Sequence, residues 1–300
     1  MTQNKTERNT PDFQSLCDIA LSVAEQAGDA IQAYKAKHEI TVLKKTTGTS
    51  EASQVLTEAD RQAQEIIING LKKSISEFDL GLLSEESTDD ESRLRKEYFW
   101  CIDPLDGTLP FIQGHPGYAV SIALVRRDGT PIIGVVRDPV QKVSYHAILE
   151  KGAFRNGLAW QTDNLIKDKT FDLYIDTGFR KYDFCKEVIS ASEEFLYKNG
   201  FKNIRITQDK GAVLNAIGIL ESPDGGYFKF PKKTDGCGSL WDFAATACIA
   251  NELGFSPIGF NNKPLALNNP ETTFMNKNGA IYSNFKPFSE FVLEYFQKRK

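Results

Sequence analysis

The chain of 300 residues has no apolar run approaching the roughly 18 residues of a membrane-spanning helix. Its first ten residues are polar and lack the apolar stretch of a signal peptide, so the expectation is a soluble, cytoplasmic protein with no membrane partner. Histidine is scarce: His38, His115 and His146 stand far apart with no metal-binding spacing, and only His115 lies near another candidate motif. The five cysteines are odd in number and form no Cys-x-x-Cys pair, which argues against a zinc ribbon or a disulfide framework and for reduced thiols. Cys101, inside an apolar run, reads as a small buried hydrophobe. There is no excess of positive charge either: 36 Lys and Arg face 40 Asp and Glu, a net charge of -4 that offers nucleic acid no basic field. Repeats, long linkers and low-complexity tracts are also missing, while an apolar content of 41% supplies a full core.

What is present is concentrated in Asp103-Pro104-Leu105-Asp106-Gly107-Thr108, directly after the apolar run Tyr98–Ile102. That run reads as a buried strand with Asp103 at its end, because Pro104 has no N–H to continue pairing. Asp106 can turn back beside Asp103, and Gly107 lets the backbone come close to whatever both acids hold. Two adjacent carboxylates repel each other unless a cation lies between them, and a hard divalent ion suits oxygen donors. Thr108 is expected to cap a short helix through Gln113, with Pro110 in its first turn. The N–H groups of Gly107, Thr108 and Leu109 would then face outward, ready for a phosphate oxygen. The bland alternative for these residues is a strand, an Asx turn and a capped helix with no ligand.

Around this motif the sequence predicts a helix opening at Thr10-Pro11-Asp12, with Phe13, Leu16, Ile19, Ala20, Val23, Ala27 and Ile31 in helical spacing. Lys44–Ser53 reads as a mobile loop. A second helix begins at Thr57, where Asp60 could be no more than half of a capping box. Leu80–Leu83 is a short strand ending at Glu85-Glu86, and strands follow at Tyr118–Val125, Pro131–Val136 and Ser144–Leu149. From residue 171 strands and helices alternate, through helix Gly211–Leu220, strand Tyr227–Phe230, helix Leu240–Glu252 behind Ser239, strand Gly279–Ser283 and helix Phe288–Phe296. Asp242 sits third in its helix after a Ser, so capping is its structural alternative too. The organisation expected is one compact body of two lobes, 1–170 and 171–300, meeting near residue 170.

With Glu85-Glu86-Ser87, Asp103–Thr108 and Trp241-Asp242-Phe243-Ala244-Ala245 in that order, the chain resembles the inositol monophosphatase superfamily over roughly residues 10–285. That resemblance implies an α+β or α/β fold, a layered αβαβα sandwich with two lobes around one metal site. It implies a magnesium-dependent, lithium-sensitive phosphomonoesterase with two magnesium ions and a third near Glu85 and Glu86 left open. Glu85, Asp103 and the Leu105 carbonyl would hold one ion, and Asp103, Asp106 and Asp242 the second. Glu85, Thr108 and Asp60 would serve the nucleophilic water, with Thr57 and Asp60 matching the family's Thr-x-x-Asp segment. Gly107 and Thr108 would bind the phosphate. Independently, phosphate ester hydrolysis benefits from paired cations about 3.5–4 Å apart that clamp the attacking and leaving oxygens.

The substrate is less sharply written. Inositol enzymes continue Asp-Gly-Thr with Thr-Asn-Phe and bisphosphate nucleotidases with Lys-Glu/Gly-Phe, whereas this chain has Leu109-Pro110-Phe111. The inositol-holding Gly-Ser-Ala-Ala segment is matched only loosely by Gly211–Asn215. Where inositol enzymes carry a ring-binding Glu, this chain has Phe228–Asp235 with Lys229, Lys232 and Lys233, read either as receptors for a second anionic group or as a solvated loop. Gly211, Lys229 and Asp235 are the candidate substrate contacts. Thr272–Asn276 is closer to the nucleotidases. The expectation is a small phosphorylated substrate, inositol monophosphate or a related polyol phosphate, with adenosine 3',5'-bisphosphate as the alternative. A phosphate-binding protein without catalysis is the reading from another class. Homodimerisation is expected from the resemblance alone.

Overall fold

The computed structural model describes residues 11–37, 42–44, 55–162, 165, 167–181 and 183–299. The loop expected over Lys44–Ser53 therefore lies outside the described residues from 45 onward, as do the polar start and His38. The first element is α1 (Phe13–Lys37), capped by Asp12, whose carboxylate accepts from Gln14 N at 3.1 Å and Ser15 Oγ at 2.6 Å. Pro11 precedes the cap. The small pair β1 (Val42–Lys44) and β2 (Val55–Thr57) leads into α2 (Glu58–Glu77).

A seven-stranded sheet follows: β3 (Gly81–Ser84), β4 (Tyr98–Asp106), β5 (Ala119–Arg126), β6 (Pro131–Asp138), β7 (Val143–Ile148), β8 (Ala153–Arg155) and β9 (Leu158–Ala159), neighbouring in chain order. The short helices α3 (Ser92–Arg95) and α4 (Thr108–Ile112) interrupt it. The second half builds β10 (Thr170–Tyr174), α5 (Cys185–Lys198), β11 (Asn203–Thr207), α6 (Ala212–Glu221), β12 (Gly225–Lys229), α7 (Leu240–Glu252), β13 (Ala280–Ser283) and α8 (Lys286–Lys298). Its four strands form a second sheet in the order β11-β10-β12-β13, with β13 the antiparallel member.

Alternation of side chains along the strands divides the interior into three apolar layers. On β4, Trp100 and Ile102 face α1 and α2, whereas Phe99 and Cys101 face the other way with the residues of α6 and α7. On the smaller sheet Tyr227 and Tyr282 join α6 and α7, while Phe171, Leu173, Phe228 and Ile281 pack against α5 and α8. The result is an αβαβα sandwich, with α6 and α7 buried between the two sheets. α6 and α7 carry few polar residues and expose almost none of their length, as a helix covered on both sides must. Among the described residues no helix is long and apolar enough to cross a membrane.

Candidate active site

The site begins with an irregularity in β4. Asp103 pairs with Ser121 and Asp106 with Ala119, so three steps along β4 match two along β5. Residues three apart in a regular strand face opposite sides of the sheet; the extra residue turns Asp106 to the side of Asp103. Pro104 therefore bulges the strand, and pairing resumes beyond it, contrary to the expected stop at Asp103. Asp242, in the first turn of α7, completes the group: Asp103, Asp106 and Asp242 each offer an oxygen within 4.8 Å of the others'. Asp103 and Asp106 are only 1% and 7% exposed.

Gly107 next to them adopts φ 83°, ψ 38°, and caps α4, so Thr108 is the first helical residue and not the cap expected. A side chain at 107 would meet the Gly117 carbonyl at 2.6 Å in a backbone region that already favours glycine. Gly211 is pressed as closely: an added Cβ would fall 2.2 Å from Asp106 Oδ2. This approach lets Asp106 accept from the N–H groups of Ala212 at 3.1 Å and Val213 at 2.9 Å, so that a carboxylate from the large sheet caps α6.

Asp60 completes the box at the start of α2, accepting from Thr57 N at 2.8 Å and Thr57 Oγ1 at 2.5 Å. Its other oxygen lies 3.3 Å from Thr108 Oγ1, which also reaches the Leu105 carbonyl at 3.2 Å. Capping and contact with Thr108 thus coexist in one carboxylate. Glu85 extends the β3–β4 pairing by one step, its N–H donating to Ile102 O at 3.1 Å beside Asp103. Its charge is felt at Asp242.

Burial dominates the electrostatics. It pushes Asp242 up from 3.8 to about 7 against the pull of Lys229, with Glu85 adding repulsion. Burial, then the Asp242 charge, likewise raises Asp106 well above the ordinary range despite its two backbone donors. Such a group is strained by its own charge, and its donors are all hard oxygens. Both properties fit a small divalent cation. Among the described residues the cation paired with this group is Lys229, whose Nζ lies 3.2 Å from Asp176 and 4.0 Å from Asp242. Burial opposes the Lys229 charge, but Asp176 and Asp242 outweigh it and hold the ammonium protonated.

Asp176 was not among the residues singled out from sequence. It follows β10 and accepts from Tyr227 OH at 2.9 Å and Asn215 Nδ2 at 3.3 Å. The available signal was its place just past the carboxyl end of a parallel strand, where open α/β sheets gather ligands. Of the residues assigned to substrate, Gly211 abuts Asp106 and Lys229 is ion-paired, whereas Asp235 is exposed on the loop between β12 and α7. That loop is fastened to the Thr272–Asn276 segment: Lys232 N donates to Asn276 O at 2.9 Å, Met275 N to Gly238 O at 2.9 Å. Two stretches distinctive in sequence are therefore neighbours in space. Cys101 is fully buried and its thiol is pushed up by burial, as befits a packing residue.

Comparison with known proteins places this arrangement. The sequence profile of the inositol monophosphatase family matches residues 12–298. An inositol-1-monophosphatase of Synechocystis is 28% identical over 96% of this chain and 93% of its own length. The 3'(2'),5'-bisphosphate nucleotidase CysQ of Shigella flexneri is 30% identical over 87% of this chain and 97% of its own. Among solved structures, an IMPase/NADP phosphatase complexed with Mg2+ and phosphate superposes with a TM-score of 0.69 at 19% identity, over 95% of both chains. Together with the fold and the converging acids, the profile match shows that the chain belongs to the inositol monophosphatase family and is a hydrolase of phosphate monoesters.

Proposed function

We propose that the chain is a magnesium-dependent phosphatase of inositol monophosphate or a related small polyol phosphate. The observation that carries this reading is the convergence of Asp103, Asp106 and Asp242 within 4.8 Å, made by a bulge whose geometric effect is to bring two acids to one side. Asp103, Asp106 and Asp242 would hold one ion, and Glu85, Asp103 and the Leu105 carbonyl a second; Glu86 stands next to that second position. Bound magnesium would neutralise the phosphate and make water acidic enough to attack at neutral pH.

The protein groups then do the rest. Asp60 and Thr108, 3.3 Å apart, would form a relay able to orient a water and take its proton, with Glu85 assisting. The N–H groups of Gly107 and Thr108 supply fixed donors for phosphate oxygens, preorganised by the left-handed turn at Gly107. The alternative, a 3'(2'),5'-bisphosphate nucleotidase, is favoured by the nucleotidase relative and by the cations Lys229, Lys232 and Lys233 in place of the inositol enzymes' Glu. We assign most metal ligands to an N-terminal lobe, 1–170, and Asp242 with the substrate contacts to a lobe of 171–300, in a cytoplasmic and homodimeric enzyme.

The test is release of phosphate from inositol 1-phosphate and from adenosine 3',5'-bisphosphate, side by side, with and without magnesium. Turnover of the inositol ester, lost in EDTA and reduced by lithium, is the expected result. Turnover of the bisphosphate alone selects the alternative, and magnesium-independent turnover of either overturns the metal assignment.

A further inference from the structure

Lys229 is an unusual neighbour for a metal site. Its side chain is only 14% exposed, and its ammonium lies between Asp176 at 3.2 Å and Asp242 at 4.0 Å. The Phe243 ring lies 5.5 Å from it, and a side chain at Gly238 would come within 3.1 Å of Nζ. The ammonium is thus confined to a narrow slot whose two ends are carboxylates. One end belongs to the acidic cluster. The other is a fixed perch: Asp176 is braced by Tyr227 OH and Asn215 Nδ2.

We propose that Lys229 is a tethered competitor of the divalent cation at Asp242, a built-in countercharge that must lean back onto Asp176 when the metal enters. This rests on the reading of Asp103, Asp106 and Asp242 as metal-binding. Like charges in a slot of low polarity repel strongly, so an ammonium this close weakens binding of an ion seated among those acids, and Asp176 limits the penalty by drawing it away. Position 229 therefore sets how readily the site gives up its ion.

The argument makes opposite predictions for the two halves of one ion pair. Magnesium binding to the metal-free protein is measured by calorimetry without substrate, and thermal unfolding in EDTA verifies that each variant is folded. Lys229→Met is expected to tighten magnesium at least about tenfold. Asp176→Asn, which removes the perch and leaves the ammonium to Asp242, is expected to loosen it about fivefold. Lys229→Arg keeps the charge and should stay near the parent value. A purely structural pair would loosen binding in all three. Lys229→Met with affinity no tighter than the parent overturns the proposal, as does Lys229→Arg with tightened affinity. Should Lys229→Met fail to fold, the other two variants decide. A parent protein that takes up no magnesium overturns both this proposal and the metal reading beneath it, whereas uptake indifferent to residue 229 overturns this one alone.

Discussion

At the scale of single residues, most acids of the candidate site also hold the fold together. Asp60 and Asp242 each close a capping box, and Asp106 caps a helix from another element. Asp103 is different: it lies inside β4, and its carboxylate accepts from the Leu105 N–H at 3.0 Å within the bulge. Asp103→Asn is accordingly expected to lower kcat/KM by at least about a thousandfold, roughly 4 kcal/mol, while shifting the metal-free Tm little. Steady-state kinetics beside a melting curve checks it, and near-normal turnover would show that Asp103 holds no essential ion. The turn that carries Asp103 and Asp106 was legible in the sequence from its local spacing, whereas for Asp60 and Asp242 the spacing gave only the capping boxes and the resemblance alone suggested more. Asp176 was not legible, since an acid after a short strand looks the same whether it is solvated or braced by Tyr227 and Asn215.

At the scale of elements, β4 shows where local reading stops. Proline after an apolar run reads as an end, and only the register against β5 shows that the strand absorbs one extra residue and continues. The alternating strands and helices of the second half followed from their turn residues and from apolar content: α5 and α8 have one apolar face, while α6 and α7 are apolar almost all round. The contact between Gly211 and Asp106 could not be read at all, being made by residues remote in the chain. It also leaves no room for a side chain at 211 beside Asp106. Gly211→Ala should drive Asp106 from its two backbone donors, reducing magnesium affinity and kcat/KM by at least about tenfold each, since a lost charge-assisted hydrogen bond costs about 1.5–3 kcal/mol. Calorimetry and steady-state kinetics would read this, and unaltered metal affinity would mean that Asp106 can be displaced without cost.

At the scale of the molecule, five layers bring the beginnings of α2, α6 and α7 and the ends of β3 and β4 to one acidic centre, so the fold concentrates negative charge where it also excludes water. The sign of the pH effect follows. Asp242 ionises near 3.8 when unfolded and at about 7 in the metal-free fold. Between those values the fold retains a proton that the unfolded chain has released, so this group's stabilisation is complete below 3.8 and is lost as pH rises through about 7. Asp106, shifted in the same direction, adds to the loss. The metal-free protein should therefore melt several degrees lower at pH 8 than at pH 5, and saturating magnesium should raise Tm more at pH 8. Differential scanning fluorimetry in EDTA and in magnesium tests both, and an equal metal effect at the two pH values would contradict the account.

The chain has three tryptophans, and their surroundings differ. Trp100 is sealed beneath α1 and α2, and Trp160 leans on Tyr145, whereas Trp241 immediately precedes Asp242 and its carbonyl accepts from Ser121 Oγ at 3.0 Å. Trp241 is thus the tryptophan one residue away from a candidate metal ligand, and its emission offers a dye-free way to follow whether the start of α7 responds to a cation.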